Sequence, residues 1–152
     1  MKKMAAAGGE RLSSADAGIL RAALPHVAIE ALLQIESALP LAGATLELPA
    51  YQDPSGIGVC MKWMPAKVAA AEATDFAPGM QAASFGLVPV GECLMGSGAP
   101  YFIDTRHEGL PLVRLPHDAV DTETDALDES RIERVAESLE LFFDQCSLQA
   151  PQ

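Results

Sequence analysis

Apolar residues recur along this chain with two different periods, and the change of period marks the change of element. Ile19, Leu20, Ala23 and Leu24 are spaced as on one helical face. Ser13-Ser14-Ala15-Asp16 before them reads as a helix start, with Ser13 as cap and Asp16 in the first turn. Pro25 interrupts that pattern and opens a second helix, expected from His26 to Leu39, with Ile29, Leu32, Leu33 and Ile35 on a broad apolar face. Pro40 and Gly43 end it. Thr45-Leu46-Glu47-Leu48 then alternates with period two, and so do Ile57, Val59, Met61 and Trp63 against Gly58, Cys60, Lys62 and Met64. The turn Gln52-Asp53-Pro54-Ser55-Gly56 joins these two strands into a hairpin whose second strand buries the only tryptophan.

A short alanine-rich helix is expected from Pro65 to about Thr74, followed by a loop holding Pro78-Gly79. Leu87-Val88-Pro89-Val90 is a strand ended by Gly91; because Pro89 has no N–H for a ladder bond, it belongs at an edge or at an irregularity. Gly96 and Gly98 can take positive φ in the turn before Tyr101-Phe102-Ile103, and Thr105-Arg106-His107-Glu108-Gly109 is a second turn before the run Leu110 to Leu115. Consecutive strands with short polar turns predict an antiparallel meander. Ser130-Arg131-Ile132-Glu133 has the form of a capping box, so the C-terminal helix is expected to start there. Ile132, Val135, Ala136, Leu139, Phe142 and Phe143 would line its inner face, with Glu129, Glu133, Glu137 and Glu140 opposite. The expected fold is α+β: a mainly antiparallel sheet of about five to six strands, with two N-terminal helices, a short middle helix and a C-terminal helix packed against it. Residues 1–10 are expected to be a loose tail and residues 11–148 one domain, as suits a chain of 152 residues.

The meander also carries a family likeness. Phe85-Gly86-Leu87-Val88-Pro89-Val90-Gly91 comes first, then Gly96-Ser97-Gly98-Ala99-Pro100-Tyr101-Phe102-Ile103-Asp104, then Pro111-Leu112-Val113, His117-Asp118, and Ser138-Leu139 with Phe142-Phe143. In order and spacing this set resembles the SUKH superfamily, whose bacterial members are mostly immunity proteins and whose eukaryotic members include a fungal cell-wall synthesis regulator. Ala99 stands where the family pattern often has an acidic residue. The resemblance implies a binding scaffold. Its leading functional implication is a non-catalytic bacterial immunity protein that neutralises a cognate toxin, one candidate being a nuclease, by occlusion. A regulatory protein-interaction module is the alternative, and a small-molecule-binding protein or thiol enzyme a further one.

Charge gives that expectation a direction. The net charge is −11, and residues 116–152 hold ten acidic side chains against Arg131 and Arg134, a net of −8. Such a surface repels phosphate backbones, so nucleic acid is not an expected partner; a basic toxin surface is. Under the resemblance the partner-binding residues are Asp118, Asp121, Glu123, Asp125 and Asp128, with Glu108 and Tyr101 beside them. No apolar run approaches a membrane span, and Lys2-Lys3 is followed by too short and weakly apolar a stretch for a signal peptide. Three widely spaced cysteines suggest no disulfide framework, which fits a reducing cytoplasm.

Motifs for catalysis are scarce. The chain has no GxSxG, Walker loop, GxGxxG or HExxH, and the acidic stretch lacks the glycine and terminal glutamate of an EF-hand, so neither cofactor nor metal is expected. Cys93 with His107 or His117 and Asp104 supplies the residue types of a thiol nucleophile, base and orienting carboxylate.

Overall fold

The computed structural model describes residues 2–96 and 98–148. Met1 of the expected tail and Ser97 of the glycine turn lie outside them. The fold is α+β. Helices α1 (Ser14–Ala23) and α2 (Glu30–Ala38) precede strands β1 (Thr45–Leu48) and β2 (Val59–Trp63), and helices α3 (Ala66–Asp75) and α4 (Gly79–Ser84) follow. The meander is β3 (Leu87–Cys93), β4 (Tyr101–Asp104) and β5 (Leu112–Arg114). A small hairpin, β6 (Val120–Asp121) and β7 (Ala126–Leu127), comes next, then β8 (Glu133–Ala136), α5 (Leu139–Gln145) and β9 (Ser147–Leu148). Seven strands form one sheet in the order β8-β5-β4-β3-β2-β1-β9, with every neighbouring pair antiparallel. The short strands β8 and β9 carry the count beyond the five or six expected.

Both faces of the sheet are covered, which is why β4 reads as an unbroken apolar run rather than an alternating one. Tyr101 and Ile103 join the larger core with Val88, Val90 and Leu112, under residues of α1, α2, α3 and α5. Phe102 points the other way, into a second cluster with Leu87, Val113, Leu115, Ala82, Ala119 and Val120. Trp63 is buried as its alternation predicts, with its ring centroid 5.9 Å from that of Phe143. Ser13 caps α1 as expected, its hydroxyl accepting from Asp16 N at 3.1 Å.

Three expected elements change. The helix expected from Ser130 does not start there: the Asp128 carboxylate accepts from the Ser130 amide at 3.1 Å and from its hydroxyl at 2.6 Å, closing a single 3-10 turn over Glu129–Arg131. The chain then extends as β8, with Glu133 opposite Arg114 on β5, and α5 begins later under the cap of Ser138, whose hydroxyl accepts from Leu141 N. The second helix starts at Glu30 rather than His26, since Pro25 opens a turn in which Val27 N donates to Leu24 O. The loop around Pro78 gives way to α4. Pro89 takes the second of the two placements expected for it, at an irregularity rather than an edge: it lies on β3 between β2 and β4, next to a register shift between Pro89 and Gly91.

The first residues are not loose. Lys2–Ala6 form a 3-10 helix with Met4 and Ala7 buried, and Lys3 Nζ donates to the carbonyls of Asp144 and Cys146 at the end of α5. Glu10 bridges to Ala42. Burying a methionine side chain contributes roughly 1.5–3 kcal/mol, and the Lys3 and Glu10 backbone contacts act with it against the entropy of ordering the segment.

Candidate interaction surface

The acidic stretch is built by local hydrogen bonds. Pro116 is followed by a 3-10 turn over His117–Ala119, which delivers the chain into β6. At the β6–β7 turn, Asp121 Oδ1 accepts from Glu123 N at 2.9 Å and from Thr124 N at 3.4 Å. Asp125 sits at φ 58°, a left-handed conformation that aspartate tolerates better than most residues, and its Oδ1 accepts from Gln81 Nε2 on α4 at 2.9 Å. Asp128 N returns to Ala119 O at 2.8 Å. The side-chain and backbone hydrogen bonds from Ser130 hold the Asp128 carboxyl below the usual carboxylate range. Asp118 Oδ2 meets Arg131 Nη2 at 2.6 Å, both of them exposed.

Asp118, Asp121, Glu123 and Asp128 therefore line one open depression on the hairpin. Asp125 is turned toward α4 instead. Glu108 is exposed on the β4–β5 turn but lines a different groove, between Gln34 and Ile35 of α2 and Ser138 and Glu140 at the start of α5. Tyr101 is fully buried on β4 and cannot be a surface contact. Its position follows from β4 being covered on both faces.

Tyr101 belongs to a buried charged network that the sequence pattern did not reveal. The Arg114 guanidinium lies 5.2 Å from its ring centroid and donates to Asp53 Oδ2 at 3.1 Å, Gly58 O at 2.7 Å, Ser55 Oγ at 2.8 Å and Glu133 Oε2 at 3.1 Å. Asp53 also accepts from the amides of Ser55 and Gly58, at 2.9 Å each. Burial pushes the Asp53 carboxyl up, but the bonds from Ser55 and Arg114 outweigh it and hold the group below the usual range. The available signal was one cation inside the apolar run Leu112 to Leu115. Which residue paired it could not be read from the chain.

Two more charged groups are buried. Asp104 takes Arg106 in a bidentate pair at 3.0 Å for each contact, and Arg106 also reaches Glu129 at 2.8 Å and lies over Phe85. Burial pushes the Asp104 carboxyl up, but the bonds from Arg106 more than offset it and hold the group low. On α2, burial pushes the Glu36 carboxyl up to about 7, with the Trp63 indole pulling back. Glu36 lines a cavity of about 40 Å³ together with Glu10, Arg11 and Asp16, room for a water molecule.

The residue types of a thiol triad are not gathered. Asp104 pairs with Leu87 at the start of β3, whereas Cys93 ends that strand. Six residues of strand put them about 20 Å apart. His107 approaches Asp104 at 3.6 Å, and His117 Nε2 lies 2.7 Å from Gly98 O. Among the described residues, no group of three or more histidine, cysteine, aspartate or glutamate side chains is placed to hold a metal ion, and no helix is long and apolar enough to cross a membrane. Compared with protein-family models, with curated proteins and with solved structures, the chain finds no match.

Proposed function

We propose that this chain is a SUKH-type immunity protein that acts in the cytoplasm, binding a basic cognate toxin and neutralising it by occlusion, without catalysis. The observation that supports this best is the depression on the β6–β7 hairpin, where Asp118, Asp121, Glu123 and Asp128 are gathered on a chain of net charge −11. A field of that sign speeds encounter with a groove lined by lysine and arginine, such as the substrate cleft of a nuclease. The hairpin is held by its own bonds, Asp121 to the turn amides and Asp128 to Ala119, so little ordering is left to be lost on binding.

The test is co-purification with the product of the neighbouring gene, with protection of cells from that product scored alongside. The triple change Asp118→Asn, Asp121→Asn and Glu123→Gln is expected to weaken the complex, and rising salt to weaken the wild-type complex more than the variant. Protection that survives the triple change moves the interface off the hairpin. No complex and no protection removes the immunity reading and leaves a regulatory interaction module.

A further inference from the structure

Four large apolar side chains are left in water at one end of the seven-stranded sheet. Tyr51 and Ile57, 85% and 55% exposed, lie on the connection from β1 to β2; Leu94 and Met95, 46% and 41% exposed, lie on the connection from β3 to β4. The two connections are neighbours, since β2 and β3 are antiparallel and Leu94 N donates to Cys60 O at 2.8 Å. Scattered exposed apolar residues are ordinary on a protein surface; several on adjoining loops are not.

The first loop is also held in place from below. Arg114 and Asp53 meet at 3.1 Å beneath it, and Asp53 and Arg114 between them bind Ser55 and Gly58. A buried ion pair is seldom the most stabilising choice at a site, but it fixes one geometry for the segment it carries. Here that segment displays Tyr51 and Ile57. An exposed aromatic on a fixed loop has little freedom to lose when it is covered, which is the character of an interface anchor.

The second loop connects this end of the sheet to the acidic hairpin. His117 Nε2 lies 2.7 Å from Gly98 O, and the next residue is Asp118, which opens the row of carboxylates on β6 and its turn. The apolar loops and the start of the carboxylate row thus lie at the same end of the sheet, an apolar centre with a charged flank as in a protein interface with a polar rim.

We infer that Tyr51, Ile57, Leu94 and Met95 are the apolar anchor of a protein-docking surface, and that its partner is a basic protein with an apolar recess flanked by lysine or arginine. The inference rests on the binding role proposed above and adds the anchor that charge alone does not supply.

Its test places a photo-reactive benzoylphenylalanine at Tyr51, Ile57 or Val68 of the full chain, in the cell that makes it. Val68 is also an exposed apolar residue, at 47%, but lies in the first turn of α3, which the chain enters from the opposite end of β2. Positions 51 and 57 are expected to cross-link to the same basic protein and position 68 not to. With that protein purified, Tyr51→Ala and Ile57→Ala are each expected to raise Kd at least tenfold while leaving Tm unchanged. Absent cross-links, the same products from all three positions, an acidic protein, a second copy of this chain, or Kd unchanged by both substitutions overturns the inference. A basic partner that is not a toxin leaves the docking surface standing and removes the immunity role. Protection that survives both alanine changes does the reverse.

Discussion

Arg114 and Asp53, 61 residues apart in the chain, meet at 3.1 Å with side chains only 3% and 0% exposed. Breaking a buried pair strands the remaining charge, at a cost of about 3–5 kcal/mol. Arg114→Ala is therefore expected to lower stability by that order in urea denaturation, and a loss below about 1 kcal/mol would show the pair to be idle. The sign with pH also follows. Since the folded Asp53 carboxyl is held below its ordinary value, its contribution is fully present above that value and disappears as pH falls through the folded pKa.

Glu36 gives the opposite slope. Its folded pKa is raised from 4.5 to about 7 by burial, so the folded chain holds this proton more tightly than the unfolded one. Stability from this group is full below the unfolded value and falls as pH rises toward the folded one, by about 3 kcal/mol in all. Glu36→Gln is expected to flatten that part of the curve and to be the more stable protein above neutrality, read as urea midpoints from pH 4 to 9. Glu10, Arg11 and Asp16 line the same cavity and remain in the variant. Parallel curves for wild type and variant would refute the assignment.

Gly91 sits where β2, β3 and β4 crowd together. A Cβ added there would lie 2.4 Å from Met61 Sδ and 3.1 Å from Tyr101 Cβ. Overpacking of this kind costs about 1–3 kcal/mol, so Gly91→Ala is expected to destabilise by that amount. In a Met61→Ala background the same change is expected to cost less, because the thioether has gone. Equal costs in both backgrounds would place the strain elsewhere.

The acidic hairpin separates two kinds of carboxylate. Asp128→Ala removes the group that binds Ser130 twice and is expected to lower Tm. Glu123→Gln, an exposed change on the turn, is expected to leave Tm alone while reducing the salt dependence of partner binding. Thermal denaturation and a salt series on the two variants check this; a Tm fall in Glu123→Gln equal to that in Asp128→Ala would contradict it.

Period and turn chemistry made the first helix, the β1–β2 hairpin and the meander legible, because there the local pattern and the final environment agree. They failed at residues 130–136, where the capping-box spacing is genuine but Asp128 binds Ser130 first and β5 offers Glu133–Ala136 an open strand edge. They failed at Tyr101 because its face of β4 is buried in the larger core, under residues of α1, α2, α3 and α5 from distant parts of the chain. The acidic residues could be named in advance, but not that Asp125 turns to Gln81 while the others face the depression. The apolar anchor was hidden for a related reason: Ile57 shares the alternation of Val59, Met61 and Trp63, yet the strand begins only at Val59.

The sheet order carries a consequence for how the molecule is made. Its outermost strands, β8 and β9, both lie within residues 133–148, while the five between them come from residues 45–114. During synthesis the central strands leave the ribosome first, with the ladder edges of β1 and β5 unsatisfied. The edge of β5 cannot be sealed until the chain has been extended past Ala136, nor that of β1 until Leu148 has been added. The nascent sheet passes through a stage open to pairing with other chains, and an amber truncation before Glu133 is expected to yield aggregate rather than a smaller soluble fold.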